Sequence, residues 1–289
     1  MQKEMAVAIL GIAGIFTAHA ALAGCIQGPF SVGARSQTYI DSSRADRPVS
    51  VLIRYPALAP GGDNVPVVNI CGEKYPVVSI GHGFTIAAAN YQYLAAGLAR
   101  VGVVSVLPTT EAGLSPNHAQ FAADLQFAAR AVIADPFFAG TNLAQRFYVG
   151  HSMGGGAAVL AAAADRNAAG LILFAPAQTN PSAIAAAARV RTTTLILLGS
   201  RDCVTPRAAH AQPIDDALSA RIIHSIREIE GGSHCQFAAA SASCQLAELS
   251  CGGSALIPEA QQQSAAKDFL VDTLQSGSFS ESLFYDDFE

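Results

Sequence analysis

The chain has 289 residues, of which 51% are hydrophobic and 13% charged, and its formal net charge is -5; this composition is the reverse of a disordered chain's and ample for a sizeable core. With 17 Lys+Arg against 22 Asp+Glu, no basic surplus is present to neutralise phosphates, which excludes nucleic acid as a partner. Three scattered lysines (Lys3, Lys74 and Lys267) make no polybasic run for an anionic membrane, and neither a Gly period nor a sustained heptad points to a fibrous class.

The first predicted element is a targeting segment. Lys3 precedes an apolar run over residues 5–16 and then Ala21-Leu22-Ala23, which predicts a signal peptide over residues 1–23 and an exported protein, periplasmic or secreted. Leu22-Ala23-Gly24-Cys25 also resembles a lipobox, in which Cys25 would be acylated, become the mature N-terminus and anchor the chain to the outer membrane. The six cysteines, Cys25, Cys71, Cys203, Cys235, Cys244 and Cys251, argue instead for full pairing in an oxidising compartment. The sequence leaves both fates of Cys25 open. No later apolar run reaches membrane length, so no transmembrane span is expected.

From residue 50 the pattern alternates short β-rich runs with Ala-rich helical stretches. Residues 51–55 read as a strand, 56–66 as a turn-rich loop and 67–70 as another strand. Residues 76–80, an apolar run between Pro and Gly, read as a buried parallel strand. A helix over 87–100 and a strand over 101–107 follow. Residues 116–133 form a helix with Phe121, Leu125, Ala128 and Ala129 on one face. Next come a strand at 146–149 and a Gly- and Ala-rich helix at 152–164. Strands at 170–174 and 193–198 enclose a short helix around Ile184. The pattern ends with a helix at 207–218, a strand at 222–229 and a helix at 261–274. Repeated β-α units of this kind predict an α/β chain, with a mostly parallel sheet and helices on both faces. Neither an internal repeat nor a linker divides it, so one domain over residues 24–289 is expected.

Gly150-His151-Ser152-Met153-Gly154 fits Gly-x-Ser-x-Gly and falls between a predicted strand and a predicted helix. That motif makes a tight turn exposing the serine oxygen, with glycines where side chains would strike neighbouring backbone. A phosphate loop fits less well, because Gly154-Gly155-Gly156 is not followed by Lys and Ser/Thr. A serine hydroxyl needs a base, and the base an orienting carboxylate, in the chain order Ser, acid, His. His210 and His224 fall inside a predicted helix and strand, whereas His234 lies in a loop just after the last strand; His234 is therefore taken as the base. Asp202 follows the strand at 193–198 and is taken as the acid. Asp215 and Asp216 fall mid-helix and are expected to be solvated, and Asp165 is expected to point away from the rim. Two backbone donors for an oxyanion are expected at Met153, after the nucleophile, and at Phe84 in Gly81-His82-Gly83-Phe84-Thr85. The Phe84 ring is placed to wall the acyl pocket, and His82 is read as structural.

Cys203 adjoins the acid and Cys235 the base. If Asp202 bonds His234, these neighbours come within disulfide range, which predicts Cys203–Cys235, with Cys244–Cys251 and Cys25–Cys71 taking up the remainder. No His/Cys/Asp cluster has metal-ligand spacing, so no metal is expected.

Gly150-His151-Ser152-Met153-Gly154-Gly155-Gly156, the Gly81-His82-Gly83-Phe84-Thr85 loop, Gly199-Ser200-Arg201-Asp202-Cys203-Val204-Thr205-Pro206 and Gly231-Gly232-Ser233-His234 together resemble the α/β-hydrolase superfamily. More narrowly, the chain resembles its dienelactone-hydrolase-like branch, which includes bacterial cutinase-like polyester hydrolases and platelet-activating-factor acetylhydrolases. Residues 41–57, with Arg44, Arg47 and Tyr55-Pro56-Ala57, are similar to the opening strand region of those acetylhydrolases. The resemblance covers residues 41–274. It implies a single-domain α/β-hydrolase fold, Ser152 as nucleophile, Asp202 as acid, His234 as base, and main-chain oxyanion donors at Phe84 and Met153. It departs from the polyester hydrolases at Ala175-Pro176-Ala177-Gln178, where they carry a substrate-stacking Trp. It departs from the dienelactone hydrolases proper by having serine, not cysteine, at residue 152. The expected activity is hydrolysis of small or short-chain carboxylic esters through an acyl-enzyme, without a cofactor. Polyesters or lipids are the alternative substrates, and a non-catalytic envelope binding protein is the alternative class.

Overall fold

Alternating inward and outward side chains along residues 31–57 build the first two strands. β1 (Ser31–Asp41) and β2 (Arg47–Ala57) pair antiparallel, from Ser31 opposite Ala57 to Asp41 opposite Arg47. Val49, Val51, Ile53 and Tyr55 of β2 are buried along one face. The computed structural model describes residues 28–68, 75–139, 145–251 and 256–275.

A short β3 (Gly61–Asp63) lies parallel to β1. The chain then alternates β4 (Val77–Gly81), α1 (Gln92–Arg100), β5 (Val104–Pro108), α2 (His118–Ala134), β6 (Arg146–His151), α3 (Met153–Ala164), β7 (Ala168–Phe174), α4 (Ala183–Ala187), β8 (Thr194–Gly199), α5 (Ala211–Ala217), β9 (His224–Ile229), α6 (Ala242–Glu248) and α7 (Glu259–Gln275). Among the described residues the strands form one sheet in the order β3-β1-β2-β5-β4-β6-β7-β8-β9. Pairing is antiparallel from β1 through β2 to β5 and parallel from β5 to β9. This is the expected single-domain α/β-hydrolase fold.

The interior strands β4, β5 and β8 are buried at every residue, which explains why they read as unbroken apolar runs and not as alternating ones. Side chains of β4 divide between two helical layers. Ser79 donates to the Leu125 carbonyl of α2 at 2.9 Å. Val78 and Ile80 instead join the cluster that holds Leu94 and Leu98 of α1. One residue before Leu125, buried Asp124 ties the β1–β2 turn to the body of the protein through Arg44 and Arg47, both at 2.7 Å.

Several boundaries differ from the sequence reading. β1 was not expected; its Gly, Ser and Gln residues give a weak apolar signal, and pairing with β2 supplies what propensity lacks. Of the strand expected at 67–70, Val67 makes an isolated bridge to Ala57, while residues 69–70 lie outside the described residues. The helix expected from residue 87 opens as a 3-10 turn (Ala88–Tyr91) before α1, with no side-chain cap to start an α-helix there. The helix expected at 207–218 is confined to α5, because turns after Pro206 occupy its first residues.

Gly81 of β4 pairs in register with Gly150 of β6, and Gly199 of β8 with Ile229 of β9. Gly150 in turn aligns through Leu173 with Ile196, so β8 and β9 run three residues past β4, and the loops that leave the four strands share the C-terminal rim, where open parallel sheets place their sites.

Candidate active site

Ser152 sits between β6 and α3 with φ 54° and ψ -123°, a conformation that costs energy for a residue with a Cβ and is held by its surroundings. Its N–H donates to the Phe174 carbonyl at 3.0 Å, and its carbonyl accepts from Gly155, Gly156 and Ala177. The glycines of the motif are explained by contact. A Cβ on Gly150 would lie 2.1 Å from the Gly154 carbonyl oxygen, and one on Gly154 would lie 2.3 Å from the Gly81 carbonyl. β4, β6 and α3 thus meet backbone to backbone directly beneath the serine.

Asp202 and His234 come together across the loops after β8 and β9. His234 Nδ1 donates to Asp202 Oδ2 at 2.8 Å, with side chains 2% and 3% exposed. Asp202 Oδ1 also accepts from the Val204 and Thr205 amides at 2.8 and 2.9 Å. Thr205 Oγ1 lies 2.9 Å from Asp202 Oδ2. Burial pushes the Asp202 carboxyl up, but the hydrogen bond and charge of His234, with the Thr205 amide and hydroxyl, outweigh it and hold the group below the usual carboxylate range. Asp202 is thus an anion across the neutral range, able to orient the Nδ1–H tautomer of His234 and stabilise its cation.

The loop after β4 carries Phe84, which is 46% exposed. The carbonyl of Gly83 accepts from Ile86 N–H at 3.1 Å, and the Phe84 N–H belongs to the same planar peptide unit. Met153 begins α3, and its N–H has no carbonyl four residues back inside the helix. His82 is fully buried, with its ring nitrogens 3.0 Å from the Gly83 carbonyl oxygen and 2.9 Å from that of Thr110.

The expected disulfide pairing is corrected. Cys203 bonds Cys251 and Cys235 bonds Cys244, with Cα separations of 5.4 and 5.6 Å; Cys203–Cys235 and Cys244–Cys251 do not form. Contact between the Asp202 and His234 side chains does not carry to the next residues. Cys235 turns into a buried 3-10 turn (Cys235–Phe237), and the unanticipated α6 brings Cys244 and Cys251 to the two loops separately. Cys244, Glu248 and Cys251 are spaced to share one side of that helical segment; Glu248 accepts from the Cys235 amide at 2.7 Å. Ser243 donates to the Thr85 carbonyl at 3.2 Å. The segment is therefore fixed to the Asp202 loop, the His234 loop and the loop after β4. Cys25 and Cys71 lie outside the described residues.

The other candidates lie apart. Asp165 is bonded by Arg146 and Tyr148, at the far end of α3. Asp215 is not simply solvated, since it accepts from His224 Nδ1 at 2.8 Å, while Asp216 accepts from Gln212. His210 caps α5 and accepts from the Gln178 amide at 3.0 Å. Sequence reasoning missed Thr205, Glu248 and Gln262. Gln262 of α7 is fully buried and clamps Ser233, accepting from its amide at 2.8 Å and donating to its carbonyl at 2.7 Å. Only Thr205, three residues after Asp202, carried a readable signal, because Asp often bonds backbone amides just ahead of it. Among the described residues no group of three or more His, Cys, Asp or Glu could hold a metal ion, and no helix is long and apolar enough to cross a membrane.

Residues 51–252 match the family described as PETase, PET hydrolase-like. No curated protein matches the chain. The family match takes in Ser152, Asp202 and His234 and covers well over half of the chain. The protein belongs to this family of α/β-hydrolase carboxylic-ester hydrolases.

Proposed function

We propose that this PET hydrolase-like enzyme cleaves carboxylic esters with Ser152 as nucleophile, His234 as general base and Asp202 as the carboxylate that orients it. The observation that carries the reading is the buried 2.8 Å contact between Asp202 and His234, on the same rim as the strained Ser152. His234 takes the Ser152 proton as Oγ attacks the ester carbonyl, and the resulting oxyanion is held by the Phe84 and Met153 amides. His234 then returns the proton to the leaving alcohol. Water, deprotonated by the same imidazole, hydrolyses the acyl-enzyme.

The substrate is a small or short-chain ester, consistent with Ala175-Pro176-Ala177-Gln178 at the rim and no Trp in the chain. The second reading is a polyester, and the family match favours it. Export follows from the apolar segment within residues 1–23 and fits two disulfides in the mature part, with residues 24–289 as the mature domain. Cys25, at the lipobox-like position, is the candidate lipid anchor.

The test is hydrolysis of p-nitrophenyl esters from acetyl to palmitoyl, alongside release of monomers from a polyester film, with Ser152→Ala as control. Turnover that falls from acetyl to palmitoyl and disappears in the variant is the expected result. Film hydrolysis that also disappears in Ser152→Ala selects the polyester, and activity retained by the variant removes Ser152 from the mechanism.

A further inference from the structure

Two buried polar side chains near the serine have no part in the triad. They are His151, the second residue of the Gly-x-Ser-x-Gly turn, and Tyr91, just ahead of α1; each is 1% exposed. The Gly83 amide donates to Tyr91 Oη at 3.0 Å, and Tyr91 Oη lies 2.7 Å from His151 Nδ1. At the far side of the ring, His151 Nε2 is 3.0 Å from the His234 carbonyl oxygen. A carbonyl can only accept, so Nε2 carries the proton. Nδ1 is then the lone-pair nitrogen and accepts a hydrogen bond from the Tyr91 hydroxyl. Both ends require the same neutral tautomer. Burial, followed by the charge of His234, holds the His151 imidazole well below its usual pKa of 6.5, which keeps it in that form.

We propose that Tyr91 and His151 are positioning residues that lock the oxyanion loop and the catalytic base to one another, through the hydrogen-bonded chain Gly83 N–H to Tyr91 O–H to His151 to the His234 carbonyl. The inference rests on the triad reading above and adds two residues to it. Its strength lies in what each end holds. At the loop end, the Gly83 N–H is anchored by Tyr91 and the Gly83 carbonyl by Ile86 N–H. The peptide units on either side of the Gly83 Cα are therefore both fixed, and with them the direction of the Phe84 N–H. The loop is seated directly on the chain of bonds: a Cβ on Gly83 would lie 3.2 Å from His151 Nδ1 and 3.3 Å from Tyr91 Oη. At the base end, His234 is held by its main chain through His151 and by its ring through Asp202. The two imidazoles also touch at a tilt of 44°, with centroids 4.7 Å apart. An oxyanion donor and a proton acceptor must be placed together for one tetrahedral intermediate. These two side chains join them without touching substrate.

Tyr91→Phe removes one oxygen and leaves the ring in place. It is expected to lower kcat on p-nitrophenyl acetate by about tenfold with KM changed by less than about twofold, the signature of an interaction felt in the transition state. Affinity for an alkyl boronic acid, which forms a tetrahedral adduct with serine, should fall in parallel with kcat. A side chain that served only the fold would lower the melting temperature and leave the kcat-to-KM split and the boronate affinity unmoved; that outcome overturns the proposal. Should Tyr91→Phe fail to fold, the pair His151→Gln and His151→Phe carries the test. Gln keeps an N–H donor for the His234 carbonyl, so it should retain a higher kcat than Phe, and equal kcat values overturn the proposal. Ser152→Ala, assayed in parallel, separates the two levels. If it is inactive and Tyr91→Phe matches the parent, the positioning chain fails and the triad stands. If Ser152→Ala is active, the triad reading itself fails.

Discussion

The two halves of the site are held in opposite ways. Ser152 is held from within: three glycines let β4, β6 and α3 meet with backbone atoms in contact. Asp202 and His234 are held from outside, by α6 and the turn after it, which two disulfides and Glu248 fasten to the residues next to each of them. Ser152 belongs to the sheet and shares its rigidity. Asp202 and His234 ride on loops after the last two strands, where β9 is an edge strand that is only partly buried, and covalent ties reinforce that edge.

The contrast can be broken from either side. The largest effect is expected from Asp202→Asn, which leaves every brace in place but offers His234 an amide in place of a carboxylate; kcat should drop by about 10⁴-fold with the melting temperature little changed. Replacing Cys203 and Cys251 together by Ser reopens a tie spanning 48 residues, and should cost about 4 kcal/mol in urea unfolding. The Cys235 and Cys244 pair spans 9 residues and should cost about 3 kcal/mol by the same measure. On the serine side, Gly154→Ala should destabilise by about 3 kcal/mol, because the added methyl meets the Gly81 backbone and not a side chain that can move. Reduction should cost the glycine variant both bridges but each cysteine variant only the one it keeps, so equal sensitivity of all three to reducing agent would erase the distinction.

Acid provides a smaller, graded probe. The His151 pKa is depressed in the folded state, so the unfolded chain binds its proton first, and stability should begin to fall as the pH drops below about 6.5. Asp41, Asp165 and Asp202 are also depressed when folded. Their contribution is complete above about pH 4 and is lost as pH falls through their folded values. Melting temperatures followed from pH 8 to pH 3 should show both declines, and His151→Phe should shrink the first to the share of His210, which burial also depresses. The smallest effect is reserved for Leu246→Ser with Leu249→Ser. Both side chains are exposed on the far side of the brace, and stability should stay within about 0.5 kcal/mol of the parent.

The same division separates what could be read in the sequence from what could not. Gly150, Ser152 and Gly154 were legible because a turn this tight admits few residues, so its chemistry is written in consecutive positions. The interior strands were legible for a similar reason: burial on both faces leaves unbroken apolar runs such as Val77-Val78-Ser79-Ile80. Asp202 and His234 followed from chain order and from their places after β8 and β9. The disulfide partners did not follow, because pairing depends on α6, whose Ala, Ser, Cys and Gln residues carry no strong period and whose place is set by the bonds it makes. Gln262 and Tyr91 were equally hidden. Each acts across more than 25 positions on a backbone group or on a single ring nitrogen, and nothing in local spacing marks such a partner.

The bridges also give the protein a history. His234 is made before Cys244 and Cys251, so a growing chain carries Ser152, Asp202 and His234 for some time before the segment that steadies two of them exists. Even the finished polypeptide lacks its braces until four thiols have lost their hydrogens. Where thiols are kept reduced, the elbow can assemble while the opposite side of the site stays loose. The bracing then arrives with oxidation, and the surroundings of the chain, as well as its synthesis, set the moment at which that side of the site is tied down.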